Sequence, residues 1–260
     1  MVCVHSQQRA SKITERSMTR KVTILDSGQF PVLRIENFLS DDEYDIVKKD
    51  VKNEVLKLEN MVKGGIENEV PATNGKNYNR IYLDSIYGKD RTKSKTLMII
   101  TKNLFNPEMF DIYNDIPETA FKLLRDTTTH ETEITVYKDK SVYGWHTDVV
   151  GRRVVNYVLM IDLGMKFDGG HTQLSNTQYD SLSERTLFEG GLDIDPELDI
   201  EPKGNQLIIM PMWVMHRVTA IKMKSDNMLD GRITVNGHVG FIPDKKDVWN
   251  IEGFHGYEFD

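Results

Sequence analysis

The second half of the chain is a series of short segments rich in β-branched residues, and this pattern constrains the fold most. The segments are EITVYK (133–138), RRVVNYVLMIDL (152–163), HTQLS (171–175), NQLIIM (205–210), HRVTAI (216–221) and RITVNGHVGF (232–241). Turn signals separate them, among them the pair Gly169-Gly170. Many short strands at such intervals are typical of a β-sandwich or barrel. The sequence therefore predicts a β domain in this half.

One amphipathic helix dominates the first half, and it is predicted from about Asp41 to Lys63. Ser40 and Glu43 form a capping box in front of it, and Gly64-Gly65 ends it. Apolar residues recur behind the capping box at helical spacing. They are Val47, Val51, Val55, Leu58 and Val62.

The rest of the first half is predicted as support for the β domain. Two further helices are expected over about 92–104 and 117–125, and strand-like stretches lie within 22–38. We therefore expect a single domain over 22–260. Its parts are a helical support (22–129), a β core (130–242) and a C-terminal tail (243–260), after a basic tail at 1–21.

Charge and composition narrow the class of protein. The net charge is -7, and binders of nucleic acid or anionic membranes usually carry a basic face. No apolar run is long enough to span a bilayer. Cys3 is the only cysteine, which excludes an intrachain disulfide and a cysteine-based zinc site. These features predict a cytoplasmic protein with no membrane partner.

The first 21 residues, MVCVHSQQRASKITERSMTRK, are basic and hold a single acid, Glu15. They lack the apolar stretch of a secretory signal. Two alternatives stay open for this segment, a disordered tail and a transit peptide that carries arginine and serine.

The stretch VYGWHTD (142–148) places a histidine and an aspartate two residues apart. On an extended strand, His146 and Asp148 project from the same face. His216 follows downstream in the strand-like run LIIMPMWVMHRV. Two histidines and one carboxylate form the facial triad of non-haem iron, whereas zinc prefers four tetrahedral ligands. Arg232, at the start of the last strand, adds a cation that can hold a carboxylate with two parallel donors.

In order and spacing these motifs resemble the iron(II)- and 2-oxoglutarate-dependent dioxygenases, and within them the prolyl-4-hydroxylase-like branch. The resemblance runs from about Ile134 to Phe241. Its motifs are TVYKDKSVYGWHTD, YVLMIDLGMKFDGGHT, IEPKGNQLIIM, PMWVMHRV and GRITV. It implies a mainly β fold, an α+β chain whose core is a double-stranded β-helix of the jelly-roll or cupin-like type, with N-terminal supporting helices.

The resemblance also implies the site. The residues expected to bind iron(II) and to carry the catalysis are His146, Asp148 and His216. Those expected to bind the co-substrate 2-oxoglutarate are Arg232, Tyr137, Thr234 and Asn156. The implied cofactors are Fe(II), 2-oxoglutarate and O2, and ascorbate is a further candidate.

Three features of the sequence depart from the family pattern, and one of them is the long loop 176–201. His171 stands where the family often has an acid after the double glycine, and the segment KMKSDNML is inserted between His216 and Arg232. The insertion leaves Lys222 and Lys224 open as alternative anchors for 2-oxoglutarate.

Three expectations concern the surroundings of the site. The long acidic loop 176–201 and the residues around Ile81–Leu83 are expected to border the substrate mouth, because loops on a rigid barrel often carry recognition. The loop itself is expected to be solvated, since its acids lack the spacing of a calcium loop. His238 is expected to be an ordinary strand histidine.

The predicted activity is hydroxylation of a C–H bond, coupled to the decarboxylation of 2-oxoglutarate to succinate. The branch suggests a prolyl residue in a peptide or protein as the substrate. Two alternatives stay open, a hydroxylase of a free amino acid or small metabolite, and a non-catalytic metal-binding β-helix module. The net charge of -7 disfavours nucleic acid as a substrate.

Overall fold

The computed structural model describes residues 20–26, 30–63, 69–70, 78–175 and 194–241. The strands in these ranges are β1 (Lys21–Asp26), β2 (Pro31–Glu36), β3 (Glu69–Val70), β4 (Tyr78–Tyr82), β5 (Thr129–Tyr137), β6 (Tyr143–His146), β7 (Arg153–Ile161), β8 (Phe167–Gly169), β9 (Thr172–Ser175), β10 (Leu198–Ile200), β11 (Gln206–Pro211), β12 (Met215–Val218), β13 (Ile221–Met223) and β14 (Arg232–Gly240). The α-helices are α1 (Asp41–Lys63), α2 (Leu83–Tyr87), α3 (Lys95–Leu104), α4 (Pro107–Asp115) and α5 (Thr119–Lys122). Short 3-10 helices span Arg91–Lys93, Leu123–Asp126 and Met228–Asp230.

Most of the strands form two antiparallel sheets. The large sheet has the order β1-β2-β11-β7-β14-β5-β4-β3, the small sheet has the order β10-β9-β12-β6, and β8 pairs with β13. From β5 onward the chain alternates between them: β5, β7, β11 and β14 lie in the large sheet, and β6, β9, β10 and β12 in the small one. This alternation defines a double-stranded β-helix and confirms the predicted fold class.

Strand β11 is buried on both faces, which explains its continuous apolar sequence QLIIMP. One apolar layer lies between the two sheets, and its members include Val32, Leu174, Leu198, Ile200, Ile208 and Met210. A second layer joins the other face of the large sheet to the helices, and its members include Leu33, Ile35, Val47, Val51, Val55, Leu58, Leu207 and Ile209. Alternate residues of one strand therefore serve two cores.

Helix α1 has the predicted bounds, and the structure shows the predicted capping box. The backbone N–H of Glu43 donates to the Ser40 hydroxyl at 3.3 Å, and the Ser40 N–H donates to the Glu43 carboxylate at 3.4 Å. These bonds satisfy donors that the first turn would leave unpaired. None of the described helices is both long and apolar enough to cross a bilayer.

The smaller helices differ from their predicted bounds. Helix α3 begins at Lys95, after the N-cap Ser94, and not at residue 92. The helix predicted over 117–125 is instead the short α5 followed by a 3-10 turn. Helix α4 was not predicted, although Asn106 at its N-cap and Pro107 at its first position are standard start signals.

Two predicted segments of the second half are divided differently in the structure. The stretch HRVTAI, predicted as one strand, contains the end of β12 and the start of β13, which belong to different sheets. The predicted acidic loop ends in strand β10, where Leu198 and Ile200 are buried. Residues 176–193 of that loop lie outside the described residues, as do residues 1–19 of the predicted basic tail and the whole predicted C-terminal tail, 243–260. The predicted basic tail, 1–21, is too long at its end, because Lys21 begins β1.

The first half also contributes strands to the large sheet, beside its helices. Strand β2 pairs with β11. Strand β4 pairs with β5, and their register places Tyr82 opposite Glu133 and Asn79 opposite Val136. This pairing brings side chains from the first half of the chain next to the space between the two sheets.

Candidate active site

Two neighbouring strands of the small sheet bring the predicted iron ligands together. His146 at the end of β6 lies directly opposite His216 of β12 in the antiparallel pair. Asp148 follows β6, and its backbone N–H donates to the Met212 carbonyl at 3.0 Å. His146 Nε2 lies 3.7 Å from Asp148 Oδ1, and His216 Nε2 lies 3.4 Å from Asp148 Oδ2. One donor atom of each residue lies within 4.8 Å of the other two.

Backbone carbonyls determine which nitrogen of each imidazole faces the carboxylate. His146 Nδ1 donates to the Gly144 carbonyl at 2.8 Å, and His216 Nδ1 donates to the Val214 carbonyl at 2.9 Å. Each Nε2 is then available as a lone-pair ligand, which is the usual arrangement of metal-binding histidines. Two imidazole nitrogens and one carboxylate in this arrangement fit a divalent cation such as Fe(II).

The environment of the three residues keeps the carboxylate ionised. Burial alone would raise the pKa of Asp148, but His216 and His146 hold it well below its ordinary range. Burial alone would lower the pKa of His216, but the neighbouring Asp148 carboxylate raises it. The site therefore presents a charged oxygen donor at neutral pH.

A pocket opens on these residues and is also lined by Arg232. Arg232 is only 2% exposed. Its Nε donates to the Gly170 carbonyl at 2.9 Å and its Nη2 donates to the Thr172 hydroxyl at 3.1 Å. Within the described ranges no carboxylate lies at ion-pair distance from this guanidinium, and burial lowers the pKa of Arg232. A buried cation without a counter-charge is costly, so this end of the pocket is suited to an anion.

Gly170 allows the backbone to approach the arginine closely. Its φ is +68°, and a Cβ atom there would lie 3.0 Å from Arg232 Cδ and 2.4 Å from Ile221 Cδ1. Both the positive φ and the lack of space favour glycine. Lys222 and Lys224, the alternative anchors, are exposed and do not line the pocket. Of the three candidates, Arg232 alone does so.

The other predicted co-substrate residues lie at different depths. Tyr137 is buried and lines the pocket, with its ring 5.1 Å from the Arg232 guanidinium carbon. Burial raises the pKa of Tyr137 to about 12, against the effect of the nearby Arg232 charge, so its hydroxyl stays protonated as a donor. Thr234 is fully buried and does not line the pocket. Its hydroxyl bonds to that of Thr135, which does.

Asn156 lines the pocket but bonds to a predicted iron ligand. Its Nδ2 donates to Asp148 Oδ2 at 2.7 Å, and its Oδ1 accepts from His238 Nδ1 at 2.8 Å. Sequence reasoning assigned no role to His238, which the structure places in the pocket lining. The signal that could have found it is strand parity, because residues 232, 234, 236 and 238 share one face of β14.

Strand β4 forms an outer wall of the pocket that the sequence only partly predicted. Tyr78 and Arg80 line the pocket, whereas Ile81 and Leu83, which were expected to border the mouth, are buried in the core. Arg80 Nε lies 3.0 Å from the carboxylate of Glu133. Burial raises the pKa of Glu133 to about 7, and the Arg80 charge opposes this rise.

Aromatic rings continue this wall to the ligands. The rings of Tyr78 and Tyr137 stack at 5.1 Å, and the ring of Tyr78 lies 5.2 Å from that of Tyr143. Tyr143 in turn stacks on the imidazole of His146 at 3.7 Å. These rings cover one side of the ligand histidine and shield it from water.

Residues 132–240 match the model of the 2OG-Fe(II) oxygenase superfamily. This match spans β5 to β14 and includes the two histidines, Asp148 and Arg232. Residues 132–240 are therefore similar to the oxygenases of this superfamily, and the match supports an enzyme of the 2-oxoglutarate- and iron(II)-dependent oxygenase class. No curated protein sequence matches the chain significantly.

Several solved structures are similar to the chain at low identity. A Pseudomonas putida prolyl-4-hydroxylase has 14% identity and a TM-score of 0.45, over 83% of this chain and 95% of that one. The non-heme α-ketoglutarate-dependent carbocyclase SnoK from nogalamycin biosynthesis has 12% identity and a TM-score of 0.45, over 88% and 92%. A prolyl 4-hydroxylase from Phytophthora capsici has 12% identity and a TM-score of 0.42, over 84% and 65%.

Proposed function

We propose that the protein is a hydroxylase in which His146, Asp148 and His216 bind Fe(II) and Arg232 binds the far carboxylate of 2-oxoglutarate. The observation that carries this proposal is the buried Arg232 guanidinium, which has no carboxylate partner in the described chain and lines the same pocket as the three ligands. A dicarboxylate co-substrate supplies one carboxylate that pairs with the arginine and, at its other end, a group that binds the metal.

The residues of the pocket have different roles in binding the metal and the co-substrate. Three protein ligands on one side of an octahedral ion leave the other positions open. Arg232 offers the co-substrate donors that stay charged at any working pH, and the Tyr137 hydroxyl is a further donor beside it. Bound Fe(II) supplies the oxygen chemistry that couples decarboxylation of 2-oxoglutarate to succinate with hydroxylation of a C–H bond.

A prolyl residue in a peptide or protein is the substrate that we propose first. The proposal is supported by the sequence resemblance to the prolyl-4-hydroxylase-like branch between about Ile134 and Phe241. A free amino acid or small metabolite is the second candidate, because the outer wall carries the charged pair Arg80 and Glu133, which can meet polar groups of a small substrate. Ascorbate is proposed only as a reductant that sustains turnover.

The test is turnover of 2-oxoglutarate to succinate by the purified chain, measured with and without Fe(II) and with panels of peptides and amino acids. We expect slow succinate formation that requires Fe(II) and O2 and that a true substrate accelerates. Succinate formation that is equally fast after chelation, or absent at every iron loading, would refute the oxygenase chemistry. A non-catalytic module would bind metal and 2-oxoglutarate without forming succinate.

A further inference from the structure

Asn156 connects the ligand Asp148 to His238 through two hydrogen bonds. The first runs from Asn156 Nδ2 to Asp148 Oδ2 at 2.7 Å, and the second from His238 Nδ1 to Asn156 Oδ1 at 2.8 Å. Asn156 belongs to β7 and His238 to β14, and the two residues are directly opposite in that strand pair. Backbone register thus places the Asn156 and His238 side chains side by side.

The chemistry of the three side chains determines which atom donates and which accepts in each of these two hydrogen bonds. An ionised carboxylate only accepts hydrogen bonds, so the amide must present its NH2 group to Asp148. The amide oxygen then faces His238, and an oxygen acceptor requires Nδ1 of that imidazole to carry the hydrogen. If His238 could not donate, the amide of Asn156 would be free to turn over and bring its oxygen against the carboxylate.

We propose that Asn156 and His238 are positioning residues that hold the Asp148 carboxylate in its metal-binding orientation, and that His238 acts only through Asn156. The inference rests on the proposed function, because it requires that Asp148 binds the metal. It replaces the expected role of Asn156 as a ligand of 2-oxoglutarate. Asn156 is only 3% exposed, so a lost partner would leave a buried polar group unpaired.

The experiment is calorimetric titration of Mn(II) into the metal-free full chain without 2-oxoglutarate. Outer partners of metal ligands typically change metal affinity by about ten- to hundred-fold when they are removed. We expect a loss of this size for Asn156→Leu and a smaller one for His238→Leu. The double variant should bind Mn(II) no more weakly than Asn156→Leu alone. Additive losses would show that His238 acts by a separate route and would overturn that part of the proposal.

Two further variants separate positioning from general damage to the strand. His238→Asn keeps an N–H donor close to the position of Nδ1, so it should recover most of the affinity that His238→Leu loses. Asn236→Leu alters the same strand as His238. Asn236 donates to Thr135 at 3.0 Å and takes no part in the hydrogen bonds that join Asp148, Asn156 and His238, so Mn(II) affinity should be unchanged. Equal losses in all of these variants would contradict the proposal. If Asn156→Leu does not fold, the two His238 variants still decide it.

Titration of 2-oxoglutarate into the Mn(II)-loaded protein separates the two roles of Asn156. If Asn156 positions Asp148, Asn156→Leu weakens the binding of Mn(II) already in the absence of 2-oxoglutarate. Normal Mn(II) affinity with a large loss of 2-oxoglutarate affinity would make Asn156 a co-substrate ligand and refute the inference. If the unaltered protein bound no Mn(II), the metal site itself would be wrong and the positioning role would fall with it.

Discussion

The two ends of the pocket are built from different parts of the chain. The three candidate ligands and Arg232 lie on or next to strands β6, β12 and β14, inside the segment 132–240 that matches the superfamily. Tyr78 and Arg80 of the outer wall lie on β4, outside that segment, and reach the pocket because β4 pairs with β5. We infer that the family segment provides the co-substrate chemistry and that the earlier segment adjusts substrate recognition.

The two ends of the pocket also differ in whether their arginine already has a charged partner. At the deep end, the hydrogen-bond partners of Arg232 among the described residues are uncharged, the Gly170 carbonyl and the Thr172 hydroxyl. At the outer end Arg80 is already paired with Glu133 at 3.0 Å. An unpaired buried cation demands an anion, whereas a paired one does not. Substitutions at the deep end should therefore change co-substrate binding, and those at the outer wall should change the response to substrate.

The largest effect is expected for Asp148→Ala. Removal of the carboxylate leaves two histidines, so Mn(II) binding and succinate formation should both fall below detection. The fold should survive, because the change removes a ligand and little core volume, and circular dichroism with thermal unfolding would check this.

The matched control for that variant is Thr147→Ala. Thr147 lies between the two ligands in sequence and does not line the pocket, so metal binding and succinate formation should stay close to those of the unaltered protein. Equal loss of activity in both folded variants would refute the assignment of the ligand face.

The second largest effect is expected for Arg232→Met, measured as the affinity for 2-oxoglutarate. Methionine keeps much of the packing of the stem and removes the charge. Loss of one partner of a desolvated charge pair costs about 2–5 kcal/mol, or about thirty- to several-thousand-fold in affinity. Mn(II) binding should persist, because Arg232 is not a ligand.

Three further variants test which cationic side chain binds the carboxylate of 2-oxoglutarate. Arg232→Lys should recover only part of the affinity, since an ammonium cannot reproduce the planar fork. Lys222→Met and Lys224→Met should bind 2-oxoglutarate normally, because both lysines are exposed away from the pocket. Normal affinity in Arg232→Met with a large defect in either lysine variant would move the anchor to that lysine.

A smaller effect is expected at the outer wall for Arg80→Met. Burial already raises the pKa of Glu133 to about 7 against the charge of Arg80. Without Arg80 that pKa rises further, so Glu133 takes up a proton at neutral pH and no unpaired charge remains. Succinate formation without substrate should stay within about twofold. The stimulation by substrate should fall by about tenfold, equivalent to about 1.4 kcal/mol.

Glu133→Gln is the partner variant for this measurement. It removes the negative member of the pair and keeps nearly the same shape, so a substrate that contacts the pair should again lose stimulation. A large loss of substrate-free turnover in either variant, with the response to substrate preserved, would contradict the division of the pocket into two functional ends.

The sequence predicted the deep end better than the outer wall, for a physical reason. His146 ends β6 and Asp148 follows two residues later, and the alternation of side chains along an extended segment predicts that both lie on one side. Arg232 begins the β-branched run RITV of β14, so the same kind of strand signal locates it. Tyr78 and Arg80 lie in an Asn- and Gly-rich stretch, and their position depends on the pairing of β4 with β5. Such long-range pairing leaves no local pattern.

The same limit explains the contacts of Asn156 and Thr234. The resemblance implied that both bind 2-oxoglutarate, but spacing along a strand cannot say which neighbour a side chain meets. Asn156 is engaged by Asp148 and His238, and Thr234 lies against Thr135. These partners come from other strands, so they follow from register between strands and not from spacing within one.

The smallest expected difference is between two threonines, Thr172 and Thr234. The Thr172 hydroxyl accepts from Arg232 Nη2 at 3.1 Å, so Thr172→Val leaves the guanidinium less well oriented. We expect 2-oxoglutarate affinity to fall by about three- to tenfold, because Thr172 only orients the guanidinium and a typical hydrogen bond contributes about 0.5–1.5 kcal/mol net. Thr234→Val breaks a bond to Thr135 behind the pocket lining, so it should lower thermal stability by about 1 kcal/mol and leave the affinity unchanged. The reverse order, with the larger loss of affinity in Thr234→Val, would place Thr234 in direct contact with the co-substrate and Thr172 outside the arginine's site.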